Sequence, residues 1–257
     1  MTDWKAAFTA TFGAPASAVS ARIWAEVYGD EYPAELDTYS FVTRTDLRRI
    51  AAEARLEPGG LLADIGCGRG GPGLWVAART YATLTGIDIA ATALASARRR
   101  AEAMDVEATE FRVGDFEDTG LDDASFDAVM SVDALLFAPD KRRACEEFAR
   151  ILAPGGRLLV TTWDFDGQPV NRPPQVADHR PLLEAAGFDV LSYEETPDWR
   201  ARQRRTVELS LERLEELAAE SGDDPSRLRA SLEQTLRNQD LMTRRVLMIA
   251  SRHESSV

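Results

Sequence analysis

The residues whose types and spacing suggest chemistry form a glycine-rich loop over residues 66–73. Gly66, Gly68 and Gly70 follow a short apolar run that includes Asp64. Glycine adopts positive φ without strain, and its missing Cβ lets a ligand approach the backbone. A helical apolar pattern begins directly after the loop, and the free N–H groups at a helix start favour an anionic or polar group. The order of strand, loop and helix therefore predicts a site for a nucleotide-like cofactor.

A second acid follows at the end of the next β-branched run. Asp88 lies about twenty residues beyond the loop, where a carboxylate can accept both hydroxyl groups of a ribose. Gly66, Gly68 and Gly71 also match the G-x-G-x-x-G pattern of nicotinamide-dependent enzymes, and this pattern alone is weakly specific. Two structural alternatives stay open: the glycines serve only as a turn, and Asp88 serves only as a strand end or helix cap.

Five motifs occur together over roughly residues 45–195. They are Asp64-Ile65-Gly66-Cys67-Gly68-Arg69-Gly70, Gly86-Ile87-Asp88, Gly114-Asp115-Phe116, Ser125-Phe126-Asp127-Ala128-Val129 and Leu152-Ala153-Pro154-Gly155-Gly156-Arg157-Leu158-Leu159-Val160. Their order and spacing resemble the class I S-adenosylmethionine-dependent methyltransferase family. The Pro154-Gly155-Gly156 turn before a strand is the element least expected of a nicotinamide enzyme. The resemblance is closer to the branch that acts on small metabolites and natural products than to nucleic-acid or protein methylases.

The resemblance implies a cofactor and the residues that hold it. The cofactor would be S-adenosylmethionine, with S-adenosylhomocysteine as the product. The implied cofactor-binding residues are Asp64, Gly66, Cys67, Gly68, Gly70, Asp88, Ile89, Asp115, Phe116 and Ser131. By the same resemblance, Asp115 would lie near the adenine amino group, with Phe116 beside the ring. A carboxylate can accept from an exocyclic amine, although an Asp after Gly114 is also typical of a turn.

The predicted fold class is α/β, with a Rossmann-like, doubly wound and mostly parallel seven-stranded sheet. Four segments are expected, namely an N-terminal helical cap at 1–42, the cofactor-binding core at 43–196, a helical lid insertion at 197–243, and the last strand with the C-terminal tail at 244–257. The insertion delays the last strand relative to the family's usual topology. We interpret it as a lid over the substrate, with a dimer contact as the alternative.

Periodicity and breakers predict individual elements. Strands are expected near 61–65, 83–88, 108–113, 126–132, 157–163, 188–193 and 245–251. Thr43 and Asp46 form a capping-box pattern that opens a helix, and the segment from Pro197 to Glu220 is expected to form one continuous helix.

The candidate catalytic residues are identified by their position in the predicted sheet. In the resembled family a nucleophile attacks the sulfonium methyl, and the protein contributes mainly alignment and desolvation. A base helps when a hydroxyl or ammonium must lose its proton. The candidates at the predicted rim of the sheet are Asp133, Asp164 and His179, each with a structural alternative. The run Val132–Phe137 shows neither a His nor a metal-binding acid cluster, so no metal site is predicted and the acceptor atom (O, N or C) stays open.

Aromatic residues indicate where the substrate would lie. Tyr28, Tyr32, Trp163 and Trp199 are the substrate-binding candidates, with Tyr39 as a further one. The apolar run Ala134–Ala138, together with Trp163 and Phe165, predicts a largely hydrophobic substrate, although such residues also occur in cores. The helical spacing of other N-terminal aromatics, such as that of Trp4 and Phe8, is more typical of packing than of a binding site.

Composition narrows the function classes. With a charge of -13 and a pI near 4.7, the chain lacks the basic face that a nucleic-acid partner needs. Two cysteines form no disulfide framework, and neither a membrane span nor a signal peptide is recognisable, so a cytoplasmic protein is expected. We expect a small-molecule substrate and a possible homodimer. Two other functions stay open: a protein that binds S-adenosylmethionine without transferring its methyl, for example in a cyclisation, and a nicotinamide-dependent oxidoreductase.

Overall fold

A computed structural model describes residues 3–37 and 39–254. Residues 1–2, 38 and 255–257, which fall within the predicted cap and tail, lie outside this description. The strands are β1 Leu61–Ile65, β2 Thr83–Asp88, β3 Thr109–Val113, β4 Phe126–Val132, β5 Leu152–Phe165, β6 Phe188–Glu195 and β7 Met242–Arg252. They form one seven-stranded sheet in the order β3-β2-β1-β4-β5-β7-β6. Strand β7 runs antiparallel to both of its neighbours, whereas the pairs from β3 to β5 are parallel.

Helices cover both faces of this sheet. They are α1 Trp4–Gly13, α2 Ala18–Tyr28, α3 Arg44–Glu53, α4 Gly71–Thr80, α5 Ala91–Ala103, α6 Lys141–Ile151, α7 Arg180–Ala185, α8 Trp199–Glu212, α9 Leu214–Ser221 and α10 Pro225–Asp240. Short 3-10 turns occupy Gly29–Glu31, Ala34–Leu36 and Leu135–Phe137. One apolar layer joins α3, α4 and α5 to the sheet, and the other joins α6 and α7 to its opposite face. The predicted α/β, doubly wound and mostly parallel fold is therefore confirmed.

Local sequence signals account for many of the element boundaries. The predicted bounds of β2 and β4 agree with the structure. Strand β4 is buried along almost its whole length, as expected of a central strand covered on both faces. The capping box at the start of α3 is present, because the Thr43 side chain accepts from the Asp46 amide and the Asp46 side chain accepts from the Thr43 amide.

Several elements differ from their predicted bounds, and two of the differences are large. The segment 197–220 forms two helices instead of one, since Arg213 leaves the helical region with φ -105 and ψ 27. The break directs α9 towards α2, where Arg213 forms an ion pair with Glu26. Strand β5 is longer than predicted because antiparallel pairing with β7 continues to Phe165. Both differences arise from contacts between segments far apart in sequence.

Helix α2 packs against α8 and α9. Val19 and Ile23 of α2 bury their side chains against Leu209 of α8. The carboxylate of Glu220 accepts hydrogen bonds from the amides of Ala18 and Val19, so a side chain of the insertion caps α2. None of the helices within the described residues is long and apolar enough to cross a membrane.

Candidate cofactor and substrate site

A cavity of about 510 Å³ lies at the carboxyl ends of β1, β2, β3 and β4. Open α/β sheets bind their ligands at this edge. The glycine loop and the residues that follow β2 and β3 line one side of the cavity. Aromatic side chains of α1 and of the 3-10 turn Leu135–Phe137 line the other side. The cavity therefore joins a polar, glycine-lined part to an apolar, aromatic part.

The glycine loop approaches its neighbours too closely for a side chain. Gly66 has φ 76, and a Cβ there would lie 2.6 Å from the Cβ of Ala134 and 3.0 Å from Cζ of Phe116. The amides of Gly66 and Cys67 donate to the carbonyl of Ile87, which fixes the loop to the end of β2. Gly66 therefore keeps both the backbone conformation and the open space of this part of the cavity.

Asp88 lies at the end of β2, where the sequence predicts a ribose-binding carboxylate. Its Oδ2 accepts from the Gly68 amide over 2.8 Å, and its Oδ1 accepts from the Ala90 amide over 2.9 Å. Burial raises the pKa of Asp88, whereas the amides of Ala90, Gly68 and Ile89 lower it. Each carboxylate oxygen has a second lone pair, so the side chain can still accept from a ligand hydroxyl.

Asp64 is a buried carboxylate on the cavity wall. Its side chain is held against the start of α4, since a Cβ on Gly73 would lie 2.5 Å from Oδ2. Its Oδ1 is buried and has no hydrogen-bond partner. Burial, with the nearby Asp88 charge as the smaller cause, raises the pKa of Asp64 to about 7. A buried acceptor without a partner is costly, so a cationic or hydrogen-bond-donating ligand group would stabilise it.

The remaining predicted cofactor residues separate into two groups. Cys67, Gly68, Ile89, Asp115 and Phe116 line the cavity. Asp115 is exposed there, and its Oδ1 accepts from the amides of the two residues that follow Phe116, which is the turn arrangement expected of an Asp after glycine.

Gly70 and Ser131 do not line the cavity. Gly70 has φ 78 at the start of α4, where Gly71 lines the cavity in its place. Ser131 is fully buried within β4, and its hydroxyl has no hydrogen-bond partner among the described residues.

Asp133 lies on the cavity wall, but its carboxylate is already engaged. Arg245 contacts both oxygens, with Nε 3.1 Å from Oδ1 and Nη2 3.1 Å from Oδ2. The hydroxyl of Thr161 donates to Oδ1, and the amide of Phe41 donates to Oδ2. The same guanidinium also contacts Asp46 at 2.9 Å. Asp133 thus belongs to a buried ion network that joins β4, β7 and α3.

Asp164 and His179 lie together, away from the cavity. Nδ1 of His179 lies 3.1 Å from Oδ1 of Asp164, which also accepts from the hydroxyl of Tyr193. Arg244 Nη2 is 2.7 Å from the other oxygen of Asp164. Both Asp164 and His179 are fully buried, and neither lines the cavity. The structure therefore places these two predicted catalytic residues in a cluster between β5, β6 and α7, because the chain turns back after β5.

The predicted substrate residues Tyr28, Tyr32, Trp163 and Trp199 also lie outside the cavity lining. Trp163 and Trp199 share an apolar cluster with Phe165 and Leu136. The ring of Tyr28 lies against that of Trp24, with centroids 5.1 Å apart. Burial raises the pKa of Tyr28. These aromatic residues pack α2 and α8 against the sheet. The segment 197–243, interpreted from sequence as a lid, contributes none of the described residues that line the cavity.

Other aromatic residues line the apolar part of the cavity. They are Trp4, Phe8, Phe12, Tyr39 and Phe137. The ring of Phe137 lies 4.8 Å from that of Trp4 and 4.9 Å from that of Phe8. The spacing of Trp4, Phe8 and Phe12, four residues apart on one helix, was the available sequence signal. The spacing alone favours packing. Only the position of α1 over the carboxyl edge of the sheet shows that these three rings face a cavity.

Residues 63–160 match a family model described as a methyltransferase domain. The core of the chain therefore contains a methyltransferase domain, as the sequence motifs indicate. The matched part of this methyltransferase domain extends from β1 into β5 and includes Gly66, Asp88 and Asp115.

A curated relative of this domain is 27-O-demethylrifamycin SV methyltransferase of Amycolatopsis mediterranei, which is 33% identical over 141 residues. The aligned part covers 54% of this chain and 52% of that relative. The chain spans about half the length of the first curated relatives it matches.

Solved structures resemble this chain over nearly its whole length. The 4+2 cyclase SpnF has a TM-score of 0.72 and 23% identity, covering 92% of this chain and 93% of SpnF. The geranyl diphosphate C-methyltransferase of Streptomyces coelicolor, solved with S-adenosyl-L-homocysteine, has a TM-score of 0.67 and 18% identity, covering 98% of each chain. At identities this low, the structural likeness establishes the shared fold alone.

Proposed function

We propose that this protein transfers the methyl group of S-adenosylmethionine to a small, largely hydrophobic molecule. The observation that carries the proposal is the cavity itself, in which Gly66, Asp64 and Asp88 lie on one side and the rings of Trp4 and Phe137 lie on the other. One side suits a nucleoside with a charged appendage, and the other suits an apolar acceptor. The methyltransferase domain of the chain and its small-molecule relative support the same proposal.

The residues of the cavity fit S-adenosylmethionine. Asp88 would accept the ribose hydroxyls, and Asp115 with Phe116 would lie at the adenine. The unpartnered Oδ1 of Asp64 would face a cationic part of the ligand, which removes the cost of an unsatisfied buried acceptor. The space that the missing Cβ of Gly66 leaves beside Ala134 allows close approach to the loop. A structural neighbour, the geranyl diphosphate C-methyltransferase, was solved with S-adenosyl-L-homocysteine.

Bound S-adenosylmethionine supplies a methyl group activated by a positively charged sulfur. The protein's own contribution is alignment and exclusion of water by the aromatic wall of Trp4, Phe8 and Phe137, effects that supply several kcal/mol. Near the end of β4, the carboxylate of Asp133 is neutralised by Arg245. Glu117, also on the wall, forms an ion pair with Arg143. With both acids engaged, we infer that transfer proceeds without a side-chain base and favours an acceptor that is already nucleophilic.

The engagement of Asp133 and Glu117 in ion pairs also favours a second candidate. A protein that binds S-adenosylmethionine without consuming it, and uses the apolar part of the cavity to fold a substrate for cyclisation, would need no base. The fold is shared with a 4+2 cyclase, although at 23% identity this likeness concerns the fold alone. The two candidates differ in one measurable quantity, the S-adenosylhomocysteine formed per substrate converted.

The decisive first experiment is calorimetric titration with S-adenosylmethionine, S-adenosylhomocysteine and NAD. We expect micromolar binding of the two sulfur compounds, little binding of NAD, and a loss of about tenfold or more in Asp88→Ala because charge-assisted hydrogen bonds to the ribose disappear. Asp105→Asn is the matched control, since Asp105 is exposed and distant from the cavity lining. Preference for NAD, or binding that Asp88→Ala leaves unchanged, would contradict the proposal.

Acceptor screening then separates transfer from cofactor binding alone. Incubation with panels of phenols, amines and polyketide-like hydroxyl compounds, followed by mass spectrometry, should show a gain of one methyl group per S-adenosylhomocysteine formed. Conversion of a substrate with no S-adenosylhomocysteine produced would favour the second candidate.

The role of the insertion and the assembly state stay proposals. We propose that α8 and α9 support α2, because Glu220 caps α2 and Arg22 forms an ion pair with Glu216. Light scattering of the purified chain tests the homodimer predicted from sequence.

A further inference from the structure

The guanidinium of Arg172 lies over two rings that border the apolar part of the cavity. Its Cζ is 4.9 Å from the centroid of the Trp4 ring and 5.1 Å from that of Phe137. Trp4 and Phe137 both line the cavity. Arg172 is not itself among the lining residues, so its positive charge lies at the border of the surface against which an apolar substrate would pack. Arg172 belongs to the loop between β5 and α7, for which the sequence alone predicts no role in the site.

No acidic side chain neutralises this charge. Among residues 3–37 and 39–254, no carboxylate lies within ion-pairing distance of Arg172, and the charged or ionisable side chain that acts on it is that of Tyr39. Its one hydrogen bond to the protein is from Nη1 to the carbonyl of the preceding Asn171, at 3.3 Å. A guanidinium has five N–H donors, so most of them remain for a ligand.

The environment of Arg172 is also partly desolvated. Its side chain is half-buried, and burial lowers the pKa of Arg172 from its usual range. A cation that loses water without gaining a counter-ion carries a desolvation cost. The electron-rich ring faces compensate part of that cost, and an anion from a ligand would compensate more.

The loop that carries Arg172 is held in place by hydrogen bonds on both sides. The side-chain Nε2 of Gln175 donates to the Leu136 carbonyl over 2.8 Å, next to Phe137 in the 3-10 turn. Lys141 Nζ donates to the Pro174 carbonyl over 2.6 Å. Within the loop, Gln168 Nε2 donates to the Arg172 carbonyl over 3.0 Å. Arg172 is therefore a fixed donor group, and fixed donors lose little entropy when they bind.

We propose that Arg172 recognises an anionic group on the substrate, such as a carboxylate, sulfonate or acidic phenolate, while the substrate's flat apolar body packs against Trp4 and Phe137. This inference rests on the proposed function for the identity of the site, and it narrows the substrate class to amphipathic organic anions. The planar fork of a guanidinium binds such groups through two parallel hydrogen bonds, which an ammonium cannot reproduce. Arg172 is thus a specificity-determining residue, distinct from the residues that would hold the cofactor.

Two fluorescent probes with the same aromatic frame test the proposal. 1-Anilinonaphthalene-8-sulfonate carries a sulfonate, and N-phenyl-1-naphthylamine is its neutral counterpart. Both are titrated into the full chain saturated with S-adenosylhomocysteine. In Arg172→Gln we expect the anionic probe to bind about tenfold or more weakly, with the neutral probe changed by less than about twofold. Arg172→Lys should give an intermediate loss for the anionic probe, because it keeps the charge and loses the fork.

Variants of Arg79 and Phe137 show whether the change in probe binding is specific to Arg172 and to the cavity. Arg79 also lies over a ring, 3.5 Å from the centroid of Trp75, but that ring does not line the cavity, so Arg79→Gln should bind both probes as the original chain does. Phe137→Ala should weaken both probes, since both use the ring. Equal weakening of the two probes in Arg172→Gln, no weakening of either, or unchanged binding of both in Phe137→Ala would overturn the proposal.

The test stays separate from that of the proposed function. Arg172→Gln should bind S-adenosylhomocysteine with unchanged affinity, because Arg172 does not contact the glycine loop or Asp88. If the original chain fails to bind S-adenosylhomocysteine, the proposed function is wrong, and the probe comparison on the unliganded chain still decides whether Arg172 recognises an anion.

Discussion

Asp88 and Gly68 are joined by a hydrogen bond of 2.8 Å, from the amide of the glycine to Oδ2 of the carboxylate. This bond ties the loop after β1 to the end of β2, so the two parts of the predicted cofactor site hold each other in position. The second carboxylate oxygen accepts from Ala90 and fixes the start of α5 in the same way. The protein's own backbone amides therefore fix the position of the Asp88 carboxylate.

Gly66→Ala should damage the site more than the fold. The new methyl group would meet the Cβ of Ala134 at 2.6 Å, and φ 76 is unfavourable for alanine. We expect a loss of about 2–4 kcal/mol of stability, of which about 1 kcal/mol reflects the backbone and the rest the collision. S-adenosylhomocysteine binding should fall by about tenfold or more if the loop shifts into the cavity. Chemical denaturation and calorimetry measure the two effects.

Gly120→Ala is the control for the backbone alone, because Gly120 has φ 67 and nothing lies within 4 Å of an added Cβ. It should lose about 1 kcal/mol of stability and no affinity. Equal losses in the two variants would show that Ala134 and Phe116 do not restrict position 66.

Asp64→Asn should change how stability depends on pH. The pKa of Asp64 is raised to about 7 in the folded protein, and an unfolded Asp has a pKa near 3.9. Because the folded state keeps this proton while the unfolded state loses it, stability falls as the pH rises from about 4 to about 7. The variant lacks this loss, so its stability relative to the original chain should increase by about 2–3 kcal/mol between pH 5 and pH 8.

Urea unfolding of the ligand-free chain at several pH values measures this difference. Asp105→Asn, at an exposed position, should show no such trend. A constant stability difference between Asp64→Asn and the original chain would mean that Asp64 is ionised throughout this range.

Arg245→Met should strongly destabilise the protein. The substitution would leave the carboxylates of Asp133 and Asp46 buried without their counter-ion. Breaking a buried ion pair in this way costs about 3–5 kcal/mol. Arg112→Met removes the exposed pair with Glu110 and should cost less than about 1 kcal/mol. Thermal unfolding of the two variants makes the comparison, and similar small losses would show that the network is dispensable.

His179→Gln should lower the stability of the protein and leave its catalytic rate nearly unchanged. His179 is fully buried beside Asp164 and outside the cavity, so its replacement should cost about 1–3 kcal/mol of stability through the lost hydrogen bond. Once an acceptor is known, kcat and kcat/KM should stay within about threefold of the original values. A large fall in kcat with the fold intact, together with a changed pH profile, would instead assign His179 a catalytic role.

Much of the fold could be predicted because its signals are local. The bounds of β2 and β4, the capping box of Thr43 and Asp46, and the glycine loop each depend on residues within a few positions of one another. The break at Arg213 and the length of β5 could not be predicted, since they depend on α2 and on β7, which lie far away in sequence.

By itself, the sequence determined the class of the fold and the glycine loop with its strand-end acids, because glycines and strand-end acids act through their own backbone and nearest neighbours. Only the tertiary structure decided which polar and aromatic residues face the cavity. Asp164, His179, Trp163 and Tyr28 have suitable side chains, but packing between distant segments buries them elsewhere. Trp4 and Phe137 line the cavity, and Arg172 lies over their rings at its border, only because α1, the turn after β4 and the loop after β5 converge at one edge of the sheet.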